Sequence, residues 1–270
     1  MSLLLHHVRG QNRLFWRSPV GAFFTIALPL IMLVLFVALF GNDVTETIES
    51  GTVTTAQFYA PGLAAFSAAS ATYTNLGINL SIRRDDGILK RVRSTPLPPA
   101  TYLGAVVLSA VWIALVAVVL MLGVGMVFYG VELDPAKLPA MVLSFVIGSA
   151  TFAVLGVALS GVVGSSASAP ALANATILPL AFISSVFISF DDDAPQWLLT
   201  LGDVFPLKPF AVSFQEAMSP FTDPPAILWD RLAVMLAWCV VGSLVAWRRF
   251  RWEPTVGRDT SARSSRRRRR

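Results

Sequence analysis

The residues in this 270-residue chain whose types and spacing could do chemistry are cationic. Arg9, Arg13 and Arg17 recur every fourth position, so a helix there carries all three on one face, with Leu4, Val8 and Phe15 available for an opposing apolar surface. Such a helix belongs in the interface between membrane and cytoplasm. The other reading is a positively charged flank that only sets topology. A second group, Arg83, Arg84, Lys90, Arg91 and Arg93, surrounds Gly87 and the helix-compatible run from Ile88 to Arg93. Ser94, Thr95 and Pro96 end that run, and Pro98 and Pro99 keep it separate from the apolar stretch that begins at Tyr102. The chemistry these groups offer is electrostatic recognition. A short amphipathic helix held outside a bilayer by a proline stop can dock a cytosolic partner, whereas the plainer reading is a solvated basic loop.

Catalytic and metal chemistry is poorly served. The only histidines are the adjacent His6 and His7, so no spaced histidine pair for zinc can be built, and the single Cys239 lies inside an apolar run with no partner for an intrachain disulfide. None of the 18 glycines is followed by lysine, which a phosphate-binding loop requires, and no Gly-x-Ser-x-Gly elbow occurs. The chain therefore carries no cofactor or nucleotide site of the usual kind.

The elements that position the cationic groups are apolar. Hydrophobic residues make up 55% and charged residues 14%, with a mean hydropathy of +0.66, far from the ~25% charge of soluble domains. A hydrocarbon core about 30 Å thick needs roughly 20 apolar residues in helix. Windows without Asp, Glu, Lys or Arg run over residues 21–40, 58–82, 102–129, 138–164, 170–190 and 232–247, which gives six spans. The first is read as an uncleaved span rather than a secretion signal. Alternate connecting segments separate by charge: eighteen basic against four acidic residues on one side, three against twelve on the other. The positive side is cytoplasmic, so both termini are cytoplasmic. The bias toward arginine, alanine and valine points to a bacterium.

No span holds an ionisable side chain, whereas ion-coupled carriers need one at membrane depth. Asn75, Asn79 and Asn174 are the strongest polar groups there, and Gly156, Ser160 and Gly164 mark a close-packing face. Between Asp191 and Asp230 an outer stretch of moderate apolar content is cut by six prolines, so it either enters the membrane partway and returns or forms a small cap. Residues 251–270 form a basic tail, expected to be disordered and to meet anionic lipid headgroups rather than nucleic acid.

The run Arg84-Asp85-Asp86-Gly87-Ile88-Leu89-Lys90-Arg91-Val92-Arg93-Ser94-Thr95-Pro96 is similar to the charged-Gly-Thr-Leu-Lys-Arg-Leu-Arg-x-Thr-Pro signature of the membrane subunits of type-2 ABC exporters. Arg17-Ser18-Pro19 with Pro29 resembles that family's entry to the first span, and Pro179, Ser184 to Phe187, Pro195, Trp197, Phe205 and Pro206 resemble its pattern after the fifth. Arg83 stands where Glu is frequent, Ile88 where Thr is usual, Ser185 where Gly is frequent, and Ser189 near a frequent Pro.

The resemblance covers nearly the whole chain. It implies an all-α integral membrane fold over residues 1–250: six transmembrane helices, an N-terminal interfacial helix, a cytoplasmic coupling helix and a re-entrant outer segment before the last span. It also implies a second permease chain, identical or homologous, and two cytosolic ABC ATPase subunits holding ATP and magnesium. The ATPase would dock on Arg84, Asp85, Gly87, Leu89, Lys90, Arg91, Arg93 and Pro96, and would also push on the helix bearing Arg9, Arg13 and Arg17. The second and fifth spans would line the route, through Phe58, Phe66, Tyr73, Asn75, Phe182 and Phe187. Aromatic rings suit an amphipathic or lipid-like substrate, since they offer apolar area with few hydrogen-bond demands. The expected function is export of such a substrate across a bacterial cytoplasmic membrane. The competing readings are a non-transporting partner of a signalling complex and an ion-coupled carrier.

Overall fold

The computed structural model describes residues 3–17, 19–95, 98–189, 195–250 and 252–253. The basic tail beyond 253, Pro96 and the acidic run 191–193 lie outside the described residues.

The described chain opens with α1 (Leu3–Trp16), which buries Phe15 and exposes Arg9 and Arg13, as an amphipathic helix should; Arg17, in the turn just past its end, is exposed as well. The Asn12 Oδ1 accepts a hydrogen bond from the Ser109 hydroxyl at 2.6 Å, which fixes α1 against the bundle. After Pro19 the chain enters α2 (Pro19–Ala22), a π-helical turn (Phe23–Ala27) and α3 (Leu28–Phe40). The outward side chains of α3 are apolar: Ile31, Val34, Leu35 and Leu39 are all exposed, a surface suited to lipid. Gly41, at φ +78°, breaks the helix.

A β-hairpin comes next, formed by β1 (Val44–Ile48) and β2 (Gly51–Thr54) with Thr47 opposite Thr52 and Ile48 opposite Gly51. It is a small addition to a chain that is otherwise helical, as expected. The segment is rich in β-branched residues around the two-residue turn Glu49–Ser50, the composition that favours paired strands.

Thr54 then caps α4 (Thr55–Ala69) by accepting from the Gln57 N–H at 3.2 Å. A second π-helical turn (Ser70–Asn75) and α5 (Leu76–Asp85) complete an unbroken helical run of 31 residues. Every residue from Thr55 to Thr72 is buried. The alanines, serines and threonines here are small enough to let other helices surround them on all sides.

After a left-handed Gly87 come α6 (Ile88–Arg93), α7 (Pro99–Tyr129), a short 3-10 turn (Pro135–Lys137) and α8 (Leu138–Val162). Helix α9 (Ala169–Ile183) leads to α10 (Gln196–Val204), α11 (Leu207–Ala217) and α12 (Trp229–Arg249). Helix α8 packs on the second π-helical turn through Gly156, where a β-carbon would lie 2.6 Å from the Thr72 carbonyl oxygen, and on α11 through Gly148, which faces the Phe210 ring. The hydroxyl of Thr151 donates to the Met235 carbonyl at 3.0 Å and ties α8 to α12.

Four helices among the described residues are long and apolar enough to cross a membrane: Phe23–Phe40, Pro99–Tyr129, Pro135–Val162 and Trp229–Arg249. The two other expected spans differ for separate reasons. The run 55–85 is long enough but carries the small and polar residues of a helix enclosed by protein. The span expected at 170–190 is helical only to Ile183, beyond which Ser185 adopts φ +54°. Its 15 residues rise only about 22 Å.

At one end of the bundle, Arg231 at the start of α12 pairs with Asp203 at 2.5 Å and with Glu49 of the hairpin turn, while Lys208 pairs with Asp203 at 3.0 Å. The buried Glu216 accepts from the Ser50 N–H at 3.1 Å and from the Thr222 hydroxyl at 2.5 Å. This network fastens the hairpin over α10 and α11. Helix α11 is buried along its full length, as part of the bundle core.

Candidate functional site

The end of α5, Gly87 and α6 form one compact element at the end of the bundle opposite the hairpin. Its two kinds of charge are sorted by direction. Arg84, 2% exposed, turns inward and donates to the Ser160 carbonyl of α8 at 2.5 Å and to Asp85 at 3.1 Å. The other Asp85 oxygen accepts from the Ser166 backbone N–H at 2.5 Å, in the turn between α8 and α9. Two neighbouring side chains thus fasten the start of the basic loop to a segment about eighty residues away. Gly87, at φ +71°, supplies the left-handed turn that reverses the chain into α6.

Leu89 is fully buried in a cluster with Leu80, Tyr102 and Val106, against which Val92 also packs. Lys90, Arg91 and Arg93 are exposed. The helix is anchored by one apolar edge and presents a basic edge outward. Of the eight docking residues expected from the sequence, Lys90, Arg91 and Arg93 are on the surface, Leu89 anchors, Gly87 turns, and Arg84 and Asp85 form an internal clamp. Pro96 lies outside the described residues. Sequence reasoning misses the clamp's partners, Ser160 and Ser166; the single available signal is the uncharged Ser-rich turn after α8.

Burial opposes the charge on Asp85, but the hydrogen bonds from the Ser166 N–H and from Arg84 outweigh it and hold the carboxyl below its usual range. A depressed folded-state pKa contributes stability that is present above the unfolded value, about 3.9, and is lost as pH falls through the folded one. Thermal unfolding followed against pH is expected to show this loss in the parent chain. The Asp85→Asn variant should be less stable at neutral pH and show a shallower acid decline; identical profiles would exclude the clamp.

The six expected route residues fall into separate places. Phe66 meets Phe187 edge-on at 5.1 Å, and Phe187 meets Phe182 at 5.3 Å, so these three form a continuous line of rings that ends at the half-exposed Phe182. Phe58, 1% exposed, instead packs on Tyr59 at 4.9 Å inside the core. The Tyr73 hydroxyl lies 2.6 Å from that of Thr176 on α9. Asn75 is bonded to Asn79 and faces α1 across a small cavity that Gln11, Arg83 and Ser109 also line.

A helical bundle with four membrane-length helices among the described residues, a buried clamp and an outward basic helix defines a multi-pass membrane protein. The model of the ABC-2 type transporter family matches residues 3–219, and the chain belongs to that family. It is also 28% identical over 256 residues to the daunorubicin resistance ABC transporter permease protein DrrB1 of Streptomyces coeruleorubidus, covering 91% of this chain and 83% of that one. The protein is a transmembrane permease component of an ABC exporter, a type of complex in which ATP hydrolysis resides in separate subunits.

Proposed function

We propose that this permease moves an amphipathic, drug-like or lipid-like molecule outward across a bacterial cytoplasmic membrane, driven by two ATPase subunits that hold ATP and magnesium and dock on α6. The observation that carries this reading is the sorting of α6: Leu89 seals one edge to the bundle while Lys90, Arg91 and Arg93 point away from it. A helix held this way transmits a push, because its displacement moves α5 and, through Arg84 and Asp85, the end of α8. Both termini are cytoplasmic on this reading. The run 55–85 and α9 complete six crossings, and the chain between α9 and α12 returns through the membrane as α10 and α11. A second permease chain, identical or homologous, completes the complex. The line Phe66, Phe187 and Phe182 offers apolar area to a substrate, in keeping with the drug-resistance role named for the relative.

The test is reconstitution with the partner ATPase in liposomes. Substrate flux should require both chains and hydrolysable ATP. Full-rate flux from the permease alone, or flux that follows a proton or sodium gradient without ATP, would refute the reading. An ATPase that neither binds nor responds to the α6 loop would instead favour a signalling partner.

A further inference from the structure

A cavity of about 70 Å³ lies between α1, the π-helical turn at Ser70–Asn75 and α7, more than one water requires. Its polar lining is Gln11, Asn75, Asn79, Arg83 and Ser109. The Gln11 Oε1 is buried and has no hydrogen-bond partner among the described residues, a state that is costly unless a donor fills it. Neighbouring groups do not supply that donor: the Ser109 hydroxyl is committed to Asn12, and the Asn79 amide to Asn75. Arg83 makes no ion pair among the described residues and donates to the Tyr102 hydroxyl at 3.2 Å through one nitrogen of its fork. The rest of the fork is left for an anion, and guanidinium groups match phosphate oxygens closely. The rim is apolar, and Leu14 is 55% exposed, so the cavity reaches the surface beside α1.

An acceptor lacking a donor, a cation lacking an anion and an apolar rim describe the complement of one ligand class. We propose that this cavity binds an inner-leaflet phospholipid whose headgroup carries N–H or O–H donors, with the donor on Gln11, the phosphate on Arg83 and the glycerol end along Leu14. It rests on the proposed export function only in placing α1 at the cytoplasmic side. The π-helical turn has a role here: it swings Asn75 toward α1, in the manner of π-bulges that build binding sites.

The experiment is native mass spectrometry of the full chain, delipidated in detergent and titrated with phosphatidylethanolamine, phosphatidylglycerol or phosphatidylcholine. The choline headgroup keeps the phosphate and the positive charge but has no donor. One ethanolamine or glycerol lipid per chain should be retained at least tenfold more tightly than the choline lipid. The comparison of the first two decides whether an ammonium or a hydroxyl is preferred. Gln11→Met should abolish the preference and Arg83→Gln should weaken retention of all three lipids at least tenfold, while Arg248→Gln, an exposed basic residue at the end of α12, should change neither. Equal retention of the choline lipid, a preference that survives Gln11→Met in folded protein, or lipid retention that is unchanged in Arg83→Gln would overturn the proposal. Lipid retention is read without the ATPase, so ATP-driven export and lipid binding can fail independently.

Discussion

A chain carrying Lys90→Glu, Arg91→Glu and Arg93→Glu is expected to fold, insert and melt like the parent, yet to lose ATP-driven export by about tenfold or more, equivalent to at least about 1.4 kcal/mol of coupling. All three side chains are exposed and belong to the outward edge of α6. Surface substitutions of that kind usually change stability by no more than about 0.5 kcal/mol. If this edge meets an acidic ATPase surface, as proposed, reversing its three charges places like charges together, which costs several kcal/mol in desolvated contacts. The measurement pairs a melting curve of the variant with its co-purification and flux in the presence of the ATPase. Full flux in the triple variant would remove the basic edge from the mechanism.

The second large effect is on the protein itself. Arg84→Met should destabilise the chain by about 3–5 kcal/mol, the range seen when one partner of a buried ion pair is removed. The side chain of Arg84 is 3% exposed and that of Asp85 7% exposed, and Arg84 also satisfies the Ser160 carbonyl. Methionine fills a similar volume but leaves both oxygens without their donor. The variant should lose monodispersity in detergent at a markedly lower temperature than the parent, and the end of α8 should exchange amide hydrogens faster. Should Arg84→Met melt with the parent, the clamp would contribute nothing to stability. The paired results separate the two halves of one short motif: loss of function without loss of stability on α6, and loss of stability itself on α5.

Much of the architecture is legible in the sequence because a hydrocarbon slab imposes a length. The helices at 23–40, 99–129, 135–162 and 229–249 contain or closely match windows read from the absence of charge. The amphipathic N-terminal helix is legible from the spacing of three arginines. The hairpin escapes sequence reading although its signal is present, since Thr47, Ile48, Thr52 and Val53 are β-branched; the acidic residues beside them draw attention to charge instead. The shortness of α9 is not legible, because Ser184 and Ser185 interrupt an apolar run without a proline or a charge. At the site, sequence spacing identifies α6 but cannot sort its charges. Arg84 looks like any other arginine of the loop, and its burial depends on Ser160 and Ser166, whose approach is a property of the folded chain.

The enclosure of residues 55–72 also bears on the order in which the protein is assembled. A segment this rich in alanine, serine and threonine gains little from lipid alone, so partition into the bilayer cannot be the force that first holds it there. It settles only once α7, α8 and α11 are present to surround it. This enclosed segment is therefore committed late during biogenesis, although it is among the first to be synthesised. Defects in α11, near the other end of the sequence, will be felt as retention or degradation of the early helices rather than as a local loss.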